Sequence, residues 1–206
     1  MLRWLLLGLL LFAPTQALAK DVTILAFGDS LTAGFGVEPG DSFPAQLEAA
    51  LKAKGHAVRV VNAGVSGDTS AAGRDRLDWA LTDDVGAVIV ELGANDALRG
   101  ISPTETRAAL TDILTTLQKR KLPVLLAGML APRNLGSDYA AAYDPIFSEL
   151  AKAYGAVYYP FFLDGVATQP QLNQADGIHP NKAGVAEIVK RILPSVEALL
   201  GKVAAN

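Results

Sequence analysis

The chain has 206 residues, 18 of them basic and 21 acidic for a net charge of −3, and half of its residues are hydrophobic. That length fits one domain, and that hydrophobic content supplies a substantial core and argues against disorder. The mild acidity gives no electrostatic reason to expect nucleic-acid binding, and the absence of cysteine excludes disulfides, thiolate catalysis and Cys-ligated zinc.

The N-terminus reads as a targeting segment. Arg3 supplies a positive charge, an apolar run follows from Trp4 to Phe12, and Ala17-Leu18-Ala19 forms a small-x-small cleavage site. The run is shorter than the roughly 20 residues that span a bilayer, so cleavage ranks above an uncleaved anchor. The expectation is a signal peptide over residues 1–19 and a single mature domain over residues 20–206. That domain is expected to be exported, periplasmic or secreted, monomeric, and without stable membrane insertion after cleavage.

Beyond Lys20, short β-rich runs alternate with longer helical stretches. Val22–Phe27 reads as the first strand and leads into Gly28-Asp29-Ser30-Leu31-Thr32-Ala33-Gly34. A serine hydroxyl where a strand gives way to a helix start is exposed near backbone N–H groups that stabilise negative charge. A helix N-cap serine is the plain alternative. Phe43–Lys54 reads as a helix ending before Gly55. His56 then sits at the amino end of the next strand, Val58–Val61, as a surface turn residue.

That strand leads into Asn62-Ala63-Gly64-Val65-Ser66-Gly67-Asp68-Thr69, in which Asp68 or Thr69 is expected to cap the following helix. Val85–Leu92 is the third strand, overlapping Glu91-Leu92-Gly93-Ala94-Asn95-Asp96. Asn95 at that strand end either presents its amide as a donor or closes an Asx-turn. Ser102-Pro103-Thr104-Glu105 opens a helix running to about Arg120.

Pro123–Met129 is the fourth strand. The segment Leu130–Tyr139 after it, with Ala131, Pro132, Asn134, Leu135 and Gly136, is expected to set specificity. Ser137–Tyr154 reads as a helix that Pro145 must kink or break. Ala156–Tyr159 is the fifth strand, and Asn181–Leu200 a final helix in which Pro194 is another expected kink or break.

The strands are mostly continuous apolar runs, as in a parallel sheet covered on both faces. The alternation implies an α/β, doubly wound sheet, whose sites lie beyond the carboxyl ends of its strands. The polar clusters fall there. The last one, Asp176-Gly177-Ile178-His179-Pro180, precedes the final helix. Its spacing of three lets the carboxylate fix the imidazole tautomer, leaving the other ring nitrogen to take a proton from serine. The chain has only two histidines, so with His56 at the wrong end of its strand a base must be His179. Ser30, His179 and Asp176 thus form a candidate catalytic triad.

These residues resemble the SGNH, or GDSL, hydrolases. The resemblance rests on Gly28-Asp29-Ser30-Leu31, Gly67 within Ser66-Gly67-Asp68, Gly93-Ala94-Asn95-Asp96, and Asp176-Gly177-Ile178-His179-Pro180. It extends over nearly the whole mature chain, and within the family it is closest to the exported bacterial arylesterase, thioesterase I and lysophospholipase group. It implies a three-layer α/β/α sandwich with a mainly parallel, five-stranded, flavodoxin-like sheet. It implies the triad Ser30, Asp176 and His179, and an oxyanion hole from the Ser30 N–H, the Gly67 N–H and the Asn95 side chain.

One departure is Ala94, where the family often has glycine; its methyl group is expected to narrow the substrate cleft. Ala94, Ala131, Pro132 and Leu135 are the expected substrate-binding residues. No cofactor or metal is expected, and Asp29 and Asp96 are read as hydrogen-bonding structural residues rather than metal ligands. No Gly-x-Ser-x-Gly elbow surrounds Ser30 or Ser66, so an ordinary α/β-hydrolase reading loses. The expected partner is a small-molecule ester or lipid-like substrate. A carbohydrate O-acetyl esterase and, further behind, a non-catalytic flavodoxin-like phosphate-binding module are the alternatives.

Overall fold

The structure, a computed structural model, describes residues 21–205; the expected signal peptide over residues 1–19 lies outside them. Five parallel strands form one sheet: β1 (Val22–Gly28), β2 (Val58–Gly64), β3 (Val85–Glu91), β4 (Val124–Ala127) and β5 (Val157–Tyr159), in the order β2-β1-β3-β4-β5. The sheet is covered by α1 (Ser30–Ala33), α2 (Phe43–Ala53), α3 (Ser70–Ala80), α4 (Ala94–Leu98), α5 (Pro103–Lys119), α6 (Ser137–Tyr143), α7 (Pro145–Tyr154) and α8 (Lys182–Ala204). Right-handed crossovers put α2 and α8 on one face and α3, α5 and α7 on the other, and the helices of each group pack on one another. The expected doubly wound α/β/α sandwich is therefore the fold.

The central strands are buried along almost their whole length: Ile24, Leu25, Ala26 and Phe27 in β1, and Val88, Ile89 and Val90 in β3. The continuous-run reading does not hold for β2. Arg59 is exposed between the buried Val58 and Val60, because β2 is an edge strand and its first half alternates as a half-covered strand does.

Pro145 interrupts its helix, starting α7 at the first-turn position where its missing N–H costs nothing. Pro194 does not break its helix: α8 runs through it to Ala204. Pro194 and Lys190, four residues earlier, are both exposed. The carbonyl that loses its helical donor there faces water, while Ile188, Ile192 and Val196 hold the opposite face in the core.

Strand order reverses between β1 and β3, the switch point at which such sheets bind ligands. Gly28, Gly64 and Glu91 stand in register at the carboxyl ends of β1, β2 and β3. Every chain segment that leaves this edge carries one of the polar clusters.

Candidate active site

Ser30 is the first residue of α1, a single turn capped by the Asp29 side chain, which accepts the Leu31 N–H at 3.0 Å. The Ser30 Oγ lies 3.0 Å from His179 Nε2, and His179 Nδ1 lies 2.8 Å from Asp176 Oδ2. The other oxygen of Asp176 accepts the N–H groups of Ile178 at 2.9 Å and His179 at 3.0 Å. The His179 N–H, then its ring, then the Ile178 N–H hold the Asp176 carboxyl down at about 2. The imidazole loop is fixed in turn. Gln174 donates its N–H to His179 O at 2.8 Å and its side-chain amide to Phe35 O at 2.7 Å. The Phe35 ring lies against the imidazole, 4.5 Å between centroids. His56 is far off, at the amino end of β2, with Nε2 3.1 Å from Glu197.

Among the described residues, neither the Ser30 N–H nor the Gly67 N–H has a hydrogen-bond acceptor. Gly67 lies on the loop after β2, and its carbonyl accepts from Arg99 at 2.7 Å. Asn95 is not in an Asx-turn; it belongs to α4. Its amide nitrogen donates to Asp29 Oδ2 and to Asp68 O, both at 3.0 Å. Both amide hydrogens are thus engaged, and an incoming oxygen must share or displace one of these acceptors.

Asp29 is fully buried; burial pushes its carboxyl up to about 6, against the opposing pull of the Leu31 N–H and the Asn95 amide. Asp96 accepts from the Ser70 N–H and hydroxyl and from Thr106 Oγ1, the structural role expected of it. Thr69, not Asp68, caps α3; Asp68 pairs with Arg76.

A cleft of about 580 Å³ opens beside Ser30, Asn95 and His179. Two of the four expected substrate-binding residues line it, Ala94 and Pro132. Ala94 is tolerated because the left-handed conformation, φ +116°, falls on Gly93, leaving residue 94 to begin α4. Ala131 and Leu135 do not line the cleft. Ala131 is buried in the core with its N–H on the Asp144 carboxylate at 2.9 Å, and Leu135 lies in a short 3-10 turn.

The wall is instead mainly Leu98, Met129, Leu130, Phe161, Leu163 and Ile178. Phe161 and Leu163 flank the fully buried Phe162. That inward–outward alternation just past β5 was the sequence signal for them, hidden in an unbroken apolar run.

The GDSL-like lipase/acylhydrolase family model matches residues 26–186. Esterase TesA of Pseudomonas aeruginosa is 36% identical over 192 residues, covering 93% of this chain and 94% of that one. Thioesterase 1/protease 1/lysophospholipase L1 of Escherichia coli K12 is 39% identical over 181 residues, covering 87% and 86%. The crystal structure of AlinE4, an SGNH-hydrolase family esterase, is 48% identical, covers 89% of this chain and 99% of that one, and superposes with a TM-score of 0.75. With the four sequence blocks assembled at one sheet edge, these matches make the chain a member of the GDSL-like lipase/acylhydrolase family.

Proposed function

We propose that Ser30 is the nucleophile of a two-step hydrolysis of carboxylic esters, with His179 as general base and Asp176 as its orienting partner. The observation that carries this reading is the continuous hydrogen-bonded chain from Asp176 through His179 to the Ser30 hydroxyl, opening on a cleft. His179 Nε2 takes the Ser30 proton as Oγ attacks the ester carbonyl carbon. The negative charge that forms on the carbonyl oxygen is met by the Ser30 and Gly67 N–H groups and the Asn95 amide. His179 then gives its proton to the leaving alcohol as the C–O bond breaks. Water, deprotonated by the same imidazole, releases the acid and restores Ser30.

The apolar cleft wall favours aryl and alkyl esters, and the names of the relatives extend the candidate substrates to acyl thioesters and lysophospholipids. Nothing in that wall favours a carbohydrate O-acetyl ester. The mature protein is read as one exported domain over residues 20–206; no helix among the described residues is long and apolar enough to cross a membrane. Intact-mass analysis of protein from an exporting host, treated with a fluorophosphonate probe, tests both parts. The expected species begins at Lys20 and carries one adduct, on Ser30. Retention of residues 1–19 refutes the processing, and labelling that survives Ser30→Ala refutes the nucleophile.

The Asn95 amide is preoriented by Asp29 and Asp68, and its bond to the substrate oxygen strengthens as charge develops. Asn95→Ala is therefore expected to lower kcat by about 10²–10³ with little change in KM. Steady-state kinetics on one good ester checks this; a near-native kcat would reduce Asn95 to a structural residue.

A further inference from the structure

Glu91 ends β3 with its side chain fully buried, directly after the buried apolar run Val88, Ile89 and Val90. One of its oxygens, Oε1, has no hydrogen-bond partner among the described residues. A buried carboxyl left half-satisfied is costly beside an apolar side chain of the same volume, and the hydrolytic steps above make no use of it.

Its second oxygen has a specific pair of partners. Glu91 Oε2 accepts the Thr32 hydroxyl at 2.7 Å and the Asp29 N–H at 3.4 Å. These two residues flank Ser30, one before it and the other two after. Asp29 in turn holds the Leu31 N–H with one oxygen and the Asn95 amide with the other. A single chain of hydrogen bonds thus runs from Glu91 through the nucleophile turn to the amide on α4.

The contact is close-packed. A Cβ at Gly28 would fall 2.6 Å from Glu91 Oε2 and against the Thr32 hydroxyl, so only glycine lets the turn descend onto the carboxyl. Arg76 of α3 fixes the same point from the other side, donating to Gly28 O at 2.9 Å with its guanidinium over the Phe27 ring.

We infer that Glu91 is a positioning residue, which clamps the Asp29–Thr32 turn to the end of β3 and through Asp29 sets the orientation of the Asn95 amide relative to Ser30. Burial, and then the charge of Asp29, push the Glu91 carboxyl well above its usual range. Asp29 also faces Asp68 and His179, and Arg76 pairs with Asp68. Glu91 itself does not line the cleft beside Ser30.

The inference rests on the proposed hydrolysis, and the test separates the two. Wild type, Ser30→Ala, Glu91→Gln, Glu91→Met and Thr32→Val are compared on one ester across pH, with circular dichroism reporting the fold. A wild type without turnover refutes the proposed hydrolysis itself.

With wild type active, Glu91→Gln keeps an acceptor oxygen and is expected to stay within a few-fold of its kcat, with an unshifted pH profile. Glu91→Met keeps the volume but removes the acceptor; a misplaced reacting group typically costs about 10², and the loss is expected in kcat rather than KM. Thr32→Val removes one donor and is expected to cost kcat about tenfold. Folded Glu91→Met with native kcat overturns the inference. So does a Gln variant as damaged as Met, or one with a shifted pH profile, since either would make the acidic proton the essential feature. If Glu91→Met does not fold, Thr32→Val decides: its loss in kcat supports the clamp, and native kcat overturns it.

Discussion

Asp176→Asn is expected to lower kcat by about 10⁴, the cost of the same change in a serine-protease triad, while the protein stays folded. The reason lies in how the two carboxylate oxygens are used. One accepts the backbone N–H groups of Ile178 and His179, which an asparagine oxygen accepts equally well, so the turn survives. The other accepts the ring N–H of His179. An asparagine amide there donates instead, so the imidazole must carry its proton on Nε2, and that nitrogen then meets the Ser30 hydroxyl as a donor and no longer as a base.

The pH profile of the same variant carries a second expectation. Because its three hydrogen bonds hold the Asp176 carboxyl at about 2, its charge is lost only as pH falls to that range, and it contributes no limb near neutrality. A limb of activity set by Asp29, whose carboxyl burial pushes up to about 6, is expected at the same pH in wild type and in Asp176→Asn, because the substitution leaves the burial of Asp29 unchanged. Rate measurements from pH 4 to 9 on both proteins check this, and a wild-type limb that vanishes in the variant would make the Asp176 carboxyl, and not Asp29, its source.

The strands and the Asp176–His179 pair were legible in the sequence because each is written locally. Apolar runs set the parallel sheet, and an Asp-x-x-His spacing places both groups within one turn of chain. The scarcity of histidine then selected His179 over His56. What the sequence did not disclose depends on chain segments meeting across the sheet edge. Leu98, on α4, and Phe161, after β5, meet in one wall only because their strands end on the same side. Ala131 looked like a cleft residue from its position after β4, but it is buried in the core with its N–H on the Asp144 carboxylate, 13 positions away. The Glu91 contact with Thr32 bridges 59 positions, and no local periodicity carries it. That α8 continues through Pro194 was not legible, because helix continuity there depends on which face of α8 reaches solvent.

Removing the nucleophile or the base is expected to produce the largest loss of all. Ser30→Ala and His179→Ala should each lower kcat by about 10⁶, and the double variant should lose little more, because triad members act as one unit. Ser30 without His179 keeps a protonated hydroxyl, and His179 without Ser30 has no acyl acceptor to activate, so either deletion already abolishes the covalent route. What remains is binding and the oxyanion donors, worth about 10³–10⁴ over water in comparable enzymes. Asn95 and the backbone N–H groups of Ser30 and Gly67 are intact in all three variants, so the residual rate should be similar in each. His56→Ala is the matched control. Its ring pairs with Glu197 at the opposite end of the sheet, and its kcat should equal that of wild type. Kinetics on one ester, with circular dichroism to confirm folding, checks the set. A folded His179→Ala that retains most of its activity, or loss of activity in His56→Ala, would refute the triad, and losses that multiply in the double variant would mean that Ser30 and His179 act in separate steps.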